Sequence, residues 1–281
     1  MTLEIRAMTE SWSLPVPLTI ASVLAVLAYL RGWFRLNIAR KTDLTVRRLV
    51  SFVFGVLLIW IAAGSPLSVL DEESLTVHMI QHLLLMTAAP GLILLGAPVM
   101  PILHGLPSWF VRTILGRLFR NLQLQGINRV FERLPVCWVV ATAALILWHI
   151  PSMFALGQKS ETCHMVEHGS FLIGGFIFWR PVIQPWPSHR ASLEWSVLLY
   201  LFLATLPCDI LSGFLVFSER VVYPAYLGTP HHFGMSVLED QECAGALMWT
   251  WVTILYLLPA AILTTRLLGR QTERADGYVQ S

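Results

Sequence analysis

Charged side chains are scarce in this sequence. Asp, Glu, Lys and Arg make up only 13% of its 281 residues, whereas 56% are hydrophobic. A soluble domain usually carries about twice that charged fraction. The hydrophobic residues also come in long blocks rather than in short alternating runs. Together these features argue against a soluble globular protein and predict a chain that crosses a lipid bilayer several times.

The sequence also lacks the motifs of several common function classes. Its four cysteines show neither CxxC spacing nor a pattern that indicates a disulfide framework. No segment resembles a nucleotide-binding loop, a nucleophile elbow or a protease motif. We therefore expect a protein that is not an enzyme and that has no nucleic-acid partner.

Seven apolar segments are long enough, or nearly so, to span a hydrocarbon core, which takes roughly 20 residues. They lie near residues 14–33, 47–64, 75–99, 135–153, 162–183, 193–216 and 241–265. The sequence thus predicts an all-α integral membrane protein, with one seven-helix transmembrane bundle over residues 1–281. We interpret the first segment as a retained span because it lacks a small-residue cleavage site.

The basic residues predict how the bundle is oriented. Sixteen of the nineteen Lys and Arg residues fall in loops on one side, and only Arg6, Lys159 and Arg220 fall on the other. Loops rich in Lys and Arg stay in the cytoplasm. This distribution places the N-terminus outside and the C-terminus in the cytoplasm.

The longest predicted cytoplasmic link contains the sequence PSWFVRTILGRLFR. Bulky apolar residues such as Trp109 and Ile114 are mixed there with Arg112 and Arg117. This mixture predicts an amphipathic helix near 107–120 that lies on the inner membrane surface, with a solvated linker as the alternative.

Five histidines fall at one predicted depth, near the outer surface. His78 and His82 begin the third span, His149 lies near the end of the fourth, and His164 and His168 begin the fifth. Each pair has i,i+4 spacing, which stacks its side chains on one helix face with Cβ atoms about 6 Å apart. Ionisable groups are costly inside a membrane, so this set indicates one shared polar or metal site.

Other side chains are predicted at the same depth and could complete such a site. They are Glu167, Asp209, Asp240, Gln241 and Met248. Imidazole and thioether ligands favour copper, although zinc or iron would also suit histidines and carboxylates. Haem held between two histidines is the main alternative. A metal transporter is less well supported, because the polar groups stop in the outer half of the bundle.

Five segments together resemble a known family, the polytopic CtaG assembly factors of caa-type cytochrome c oxidase. In chain order they read HMIQHLLLM…LLGAP, LWHIP, HMVEHGSFLIGGFIFW, YPAY and DQECAGALMW, and the resemblance covers about residues 47–268. Gly91 and the Ala244–Gly245 pair depart from the usual pattern at helix-packing positions. Asp209 is not part of that pattern.

The resemblance implies a multi-pass protein of the bacterial inner membrane that helps to make an active haem–copper oxidase. Its implied partners are the oxidase subunits and periplasmic copper donors. On this basis we expect copper to be bound by His78, His82, His149, His164, His168, Asp240 and Met248. We expect Gln241, Glu167 and Asp209 to lie beside these ligands. A haem-binding membrane redox protein that uses the same histidines remains the alternative.

Overall fold

The computed structural model describes residues 12–38, 44–117, 126, 130, 131, 133–183, 194–229 and 234–279, with no side-chain description for 194 and 270–279. Within these ranges the chain is helical and contains no β-strand. The helices are α1 Val16–Ile38, α2 Val46–Gly64, α3 Leu67–Leu70, α4 Leu75–Leu83, α5 Ala89–Leu95, α6 Val99–Gly105, α7 Ser108–Phe110, α8 Leu134–His149, α9 Pro151–Lys159, α10 Glu161–Ile183, α11 Glu194–Phe217 and α12 Val237–Val279. A π-helical turn, Leu84–Ala88, joins α4 to α5, and a 3₁₀ turn covers Pro224–Gly228.

Several of these helices are long and apolar enough to cross a membrane. Five qualify singly: Val16–Ile38, Val46–Gly64, Leu75–Leu95, Trp195–Phe217 and Val237–Gly269. The bent pair α8 and α9 makes a sixth if both helices belong to one span. A helical architecture with five or six candidate membrane spans is therefore confirmed for the described residues. The count of seven spans and the orientation of the termini stay predictions.

The predicted fourth span is not a single straight helix. Helix α8 ends at His149, and α9 begins at Pro151 with a change of direction of 75°. Pro151 has no N–H to donate, and its ring forces Ile150 out of the helical conformation, to φ −66° and ψ 125°. The break places His149 at the end of α8 and packs α9 against α10.

The third span, Leu75–Leu95, is the most buried of the candidate spans. Its π-helical turn ends just before Pro90, whose missing N–H leaves the Met86 carbonyl without its usual helical partner. Gly175 of α10 crosses at this point, and any Cβ atom there would overlap the Met86 oxygen. The third span therefore continues through Pro90, with a π-helical turn just before it.

Helix α12 begins four residues earlier than predicted, at Val237, and continues to Val279. A capping box explains its start. Glu239 Oε2 accepts a hydrogen bond from the Ser236 N–H at 2.7 Å, and Ser236 Oγ accepts one from the Glu239 N–H at 3.3 Å.

The segment predicted to be an amphipathic helix near 107–120 is helical from Ser108 through residue 117, with a π-helical turn over Val111–Leu115. Trp109 and Ile114 are exposed on it, at 65% and 47% of their surface. Residues 118–120 lie outside the described residues, and the location of this helix on the membrane surface stays a prediction.

Candidate metal centre

The structure brings the five predicted histidines into one cluster where α4, α8 and α10 meet. The ring centroids of His78 and His82 are 4.1 Å apart, and those of His164 and His168 are 4.2 Å apart. Across the helices, His78 lies 5.8 Å from His164, and His82 lies 5.6 Å from His168 and 6.5 Å from His149. Two histidine pairs on facing helices thus form one continuous group of rings.

Two carboxylates enter this cluster from opposite sides. Glu167 Oε1 lies 3.4 Å from His82 Nε2 and 3.7 Å from His78 Nε2. Asp71 Oδ2 lies 3.3 Å from His164 Nε2 and 4.0 Å from His78 Nδ1. Glu167 therefore lies directly against two histidine rings, whereas we expected it only to lie beside the ligands. Asp71, which sequence analysis did not single out, is the second carboxylate.

These polar groups are buried, and many of their atoms have no hydrogen-bond partner among the described residues. Asp71, His78 and Glu167 are each only 1% exposed. The unpartnered atoms include both carboxylate oxygens of Asp71, Glu167 Oε1, and Nε2 of each of the five histidines. Each buried, unsatisfied polar group costs about 1–3 kcal/mol. A cation among them would satisfy several of these atoms at once.

Burial makes the ionised form of Asp71 costly when no cation is present. This residue lies in the loop between α3 and α4, outside the candidate spans. Burial raises its pKa to about 7, and the neighbouring Glu72 adds to the rise. A cation nearby would favour the ionised carboxylate.

The distances fit a small metal ion. Metal–nitrogen bonds of about 2.0–2.1 Å in a tetrahedral site place neighbouring ligand atoms about 3.3 Å apart. Two groups of possible ligands have all their ligand atoms within 4.8 Å of one another: Asp71 with His78 and His164, and His78 with His82 and Glu167. Such mixed nitrogen and oxygen sets suit copper(II) or zinc.

His149 is oriented as a metal ligand usually is. Its Nδ1 lies 2.7 Å from the Leu145 carbonyl oxygen, so the proton belongs on Nδ1. That hydrogen bond leaves the Nε2 lone pair free, the usual arrangement for a histidine that binds metal. Because the helix break at Pro151 ends α8 here, the Tyr223 hydroxyl can donate to the His149 carbonyl oxygen at 3.0 Å.

Helix α9 and the 3₁₀ turn support the cluster from one side. The Tyr226 hydroxyl donates to the Asp71 carbonyl oxygen at 3.0 Å, and Gln158 Nε2 donates to Tyr226 at 3.2 Å. Gln158 Nε2 also lies 3.4 Å from His78 Nδ1. Tyr223 and Tyr226 are the two tyrosines of the YPAY segment, which the sequence indicated only through the family resemblance.

Asp240, predicted to bind metal, caps a helix instead. Its Oδ2 accepts from the Leu75 N–H at 2.7 Å, and its Oδ1 accepts from Ser74 Oγ at 3.0 Å and the Thr76 N–H at 3.2 Å. These bonds use the carboxylate at the N-terminus of α4, where free N–H groups and the helix dipole favour an anion. Asp240 thus orients the helix that carries His78 and His82.

The other three predicted residues also lie outside the two ligand groups. Gln241 accepts from the Val222 N–H at 2.7 Å and donates to the carbonyls of Leu215 and Arg220, so it holds the loop after α11. Met248 is buried in the main hydrophobic core. Asp209 is half-buried on α11, with an Oδ1 that has no hydrogen-bond partner in the described part of the chain.

Two curated relatives, uncharacterized proteins of Mycobacterium bovis and Mycobacterium tuberculosis, are each 23% identical to this chain over 291 residues. Those alignments cover 94% of this chain but only 44% of each relative, so the chain spans less than half of their length. No solved structure matches.

A family model matches most of the chain, over residues 27–270. This range begins about twenty residues before the region in which we noted the resemblance, and it contains all five clustered histidines, Asp71 and Glu167. The chain therefore belongs to the family described as cytochrome c oxidase caa3 assembly factor, Caa3_CtaG.

Proposed function

We propose that this protein helps to assemble a haem–copper cytochrome c oxidase by holding copper as cargo at the histidine–carboxylate cluster and passing it on. The observation that carries the proposal is the convergence of Glu167 Oε1 with Nε2 of His78 and His82, all buried and without hydrogen-bond partners among the described residues. Oxidase assembly is the role of the family, and copper binding is our addition to it.

The chain's own groups suit a carrier rather than a permanent cofactor site. Imidazole and carboxylate ligands coordinate copper reversibly, and incoming ligands on a partner can replace them one at a time. We infer that a periplasmic copper donor loads the cluster and that an oxidase subunit unloads it. This role requires a multi-pass protein of the bacterial inner membrane with the cluster toward the outer face, as the positive-inside rule predicts.

The packing supports a small ion over haem. The histidine rings lie 4.1–6.5 Å apart, and aromatic side chains fill the space beside them. Phe171 lies 4.4 Å from His82, and Phe154 lies 5.0 Å from His78, measured between ring centroids. A macrocycle between two of these rings would have to displace this packing.

The side chains beyond the cluster support a holding site over a conduction path. Leu83, Leu84, Leu85 and Met86 follow His82 along the third span, and all four are buried and apolar. A path for ions would need polar groups to continue through the helix bundle.

The test is an elemental analysis and a visible spectrum of the same purified sample. Wild type should bind copper, and the double variant His78→Ala/His82→Ala should lose most of it. His104→Ala is the matched control, because His104 lies in α6 and its Nδ1 contacts the Met100 carbonyl. Equal copper in wild type and the double variant would overturn the proposal. A Soret band in haem-replete wild type would favour the redox protein.

A further inference from the structure

The two groups of possible ligands share a single residue, His78. One group comprises Asp71 Oδ2, His164 Nε2 and His78 Nδ1, and we name it the exposed position. The other comprises Glu167 Oε1, His82 Nε2 and His78 Nε2, and we name it the buried position. His78 therefore presents a different ring nitrogen to each position. At the exposed position an ion would replace Gln158 Nε2, which lies 3.4 Å from His78 Nδ1.

A single ion cannot be bound by both ring nitrogens of His78. The two imidazole nitrogens direct their in-plane bonds away from each other, so these bonds converge on no common point. A neutral imidazole also has a proton on one nitrogen and a lone pair on the other. His78 consequently serves one position at a time.

The two positions differ in their access to solvent. In the exposed position only His164 is accessible: its side chain is 26% exposed, whereas that of Asp71 is 1% exposed. In the buried position, the side chain of His82 is 6% exposed and that of Glu167 is 1% exposed. An ion arriving from solution would therefore meet the exposed position first.

The positions also differ in how many further ligands are near. His82 lies beside His149 and His168, whose Nε2 atoms are buried and have no hydrogen-bond partner within the described ranges. These rings could add nitrogen ligands to the buried position. The buried position is thus suited to hold an ion longer than the exposed position.

We propose that the cargo ion moves through two successive positions, from Asp71 and His164 to His82 and Glu167, with His78 as the ligand common to both. This inference rests on the proposed function, because it takes copper as the cargo. It adds an order of loading and a division of roles between the two carboxylates: Asp71 acts in capture and Glu167 in retention.

Two double variants separate these roles. Asp71→Asn/His164→Ala disables the exposed position, and His82→Ala/Glu167→Gln disables the buried one, while both keep His78. His104→Ala/Glu242→Gln is the control, because it changes one histidine and one carboxylate outside the cluster. Full-length protein in detergent is loaded with Cu²⁺ from a coloured chelate, and release is followed after excess chelator is added.

We expect the first variant to load about tenfold more slowly or worse, yet to reach copper content near that of wild type. We expect the second to load at close to the wild-type rate but to release copper about tenfold faster or more. Loss of the groups that orient a metal's ligands already costs about 10–100-fold in metal affinity, so loss of the ligands themselves should change these rates at least tenfold. The control should match wild type in both rates.

Equal changes of loading and release in both variants would mean a single position and would overturn this inference, while the proposed function would stand. A wild-type protein that binds no copper would overturn both. Thermal unfolding checks that each variant is folded. If a double variant cannot be purified, the single changes His164→Gln and His82→Gln provide the same comparison.

Discussion

Gly157 of α9 lies so close to Glu167 of α10 that a Cβ atom at residue 157 would stand 2.7 Å from Glu167 Oε2. Real Cβ atoms do not come this near to a non-bonded oxygen. Because glycine has no side chain, the backbone of α9 can pack directly against the Glu167 carboxylate. The other oxygen of Glu167 faces His78 and His82. Helix α9 thus limits where this carboxylate can lie.

Changing Gly157→Ala should weaken copper binding without unfolding the protein. The new methyl group would displace a flexible carboxylate rather than backbone, so we expect copper affinity to fall about tenfold, as measured by competition with a chelator. Gly169→Ala is the matched control, because a Cβ atom there meets nothing within 4 Å. Equal copper affinity in the two variants would show that the position of Glu167 does not matter.

Changing Asp240→Ala should lower stability through the loss of a helix cap. Three donors at the start of α4 would lose their acceptor, and we expect a cost of about 1–3 kcal/mol in the free energy of unfolding. Thermal unfolding in detergent, with Glu242→Ala as control, measures this effect. Copper content at a temperature where the variant is folded should stay near that of wild type. Loss of all copper from folded Asp240→Ala would restore this residue as a ligand.

Changing Gly105→Ala should disrupt the contact between α1 and α6. A Cβ atom at Gly105 would overlap the Ala28 carbonyl, and one at Gly32 would overlap the Pro101 carbonyl. Backbone cannot move aside as a side chain can, so we expect a loss of about 2 kcal/mol or more in unfolding free energy. Gly213→Ala meets nothing within 4 Å and should be neutral or slightly stabilising. Similar melting temperatures for both variants would contradict the tight crossing.

Changing Tyr226→Phe should affect both stability and copper. The hydroxyl holds the Asp71 carbonyl and contacts Gln158, and its loss should cost about 1–2 kcal/mol in unfolding free energy. Tyr200→Phe is the control, because its hydroxyl also donates to a buried carbonyl, that of Phe178, at 3.0 Å. Both variants should be similarly destabilised, but only Tyr226→Phe should bind copper more weakly. An equal copper affinity in both would show that Asp71 needs no support from Tyr226.

In cells, the double variant His78→Ala/His82→Ala should leave the oxidase short of copper. We expect membranes from such a strain to have less oxidase activity and less copper per oxidase than membranes from the His104→Ala strain. Immunoblots for this protein verify that both variants accumulate equally. Full oxidase activity at equal protein levels would contradict a role for the cluster in assembly.

The histidine cluster could be predicted because its members obey a local rule. Spacing of i,i+4 puts His78 with His82, and His164 with His168, on one face of each helix. Placing ionisable residues in an apolar span costs free energy, so their presence there indicates a function. Asp71 was missed because a carboxylate in a loop ordinarily faces solvent. The positions of Gly157 and Gln158 were missed because they depend on the direction that α9 takes after Pro151.

Asp240 shows why a predicted site residue can prove to have a different role. It was predicted to lie at the depth of the histidines, and the structure does place it at the start of the histidine-bearing helix. Its oxygens are nevertheless used by N–H and hydroxyl groups of that helix. Depth along a span follows from residue number, whereas the direction in which a side chain points depends on the neighbouring helix.

The sequence by itself determined the all-helical class with several candidate membrane spans and the pairing of histidines on helix faces, because hydrophobic length and helical spacing are properties of one segment at a time. Only the tertiary structure decided which carboxylates join that site, which predicted ligand is a helix cap, and that His78 faces two ligand groups. These features depend on how separate helices cross, and a crossing is set by packing between residues that are far apart in the chain.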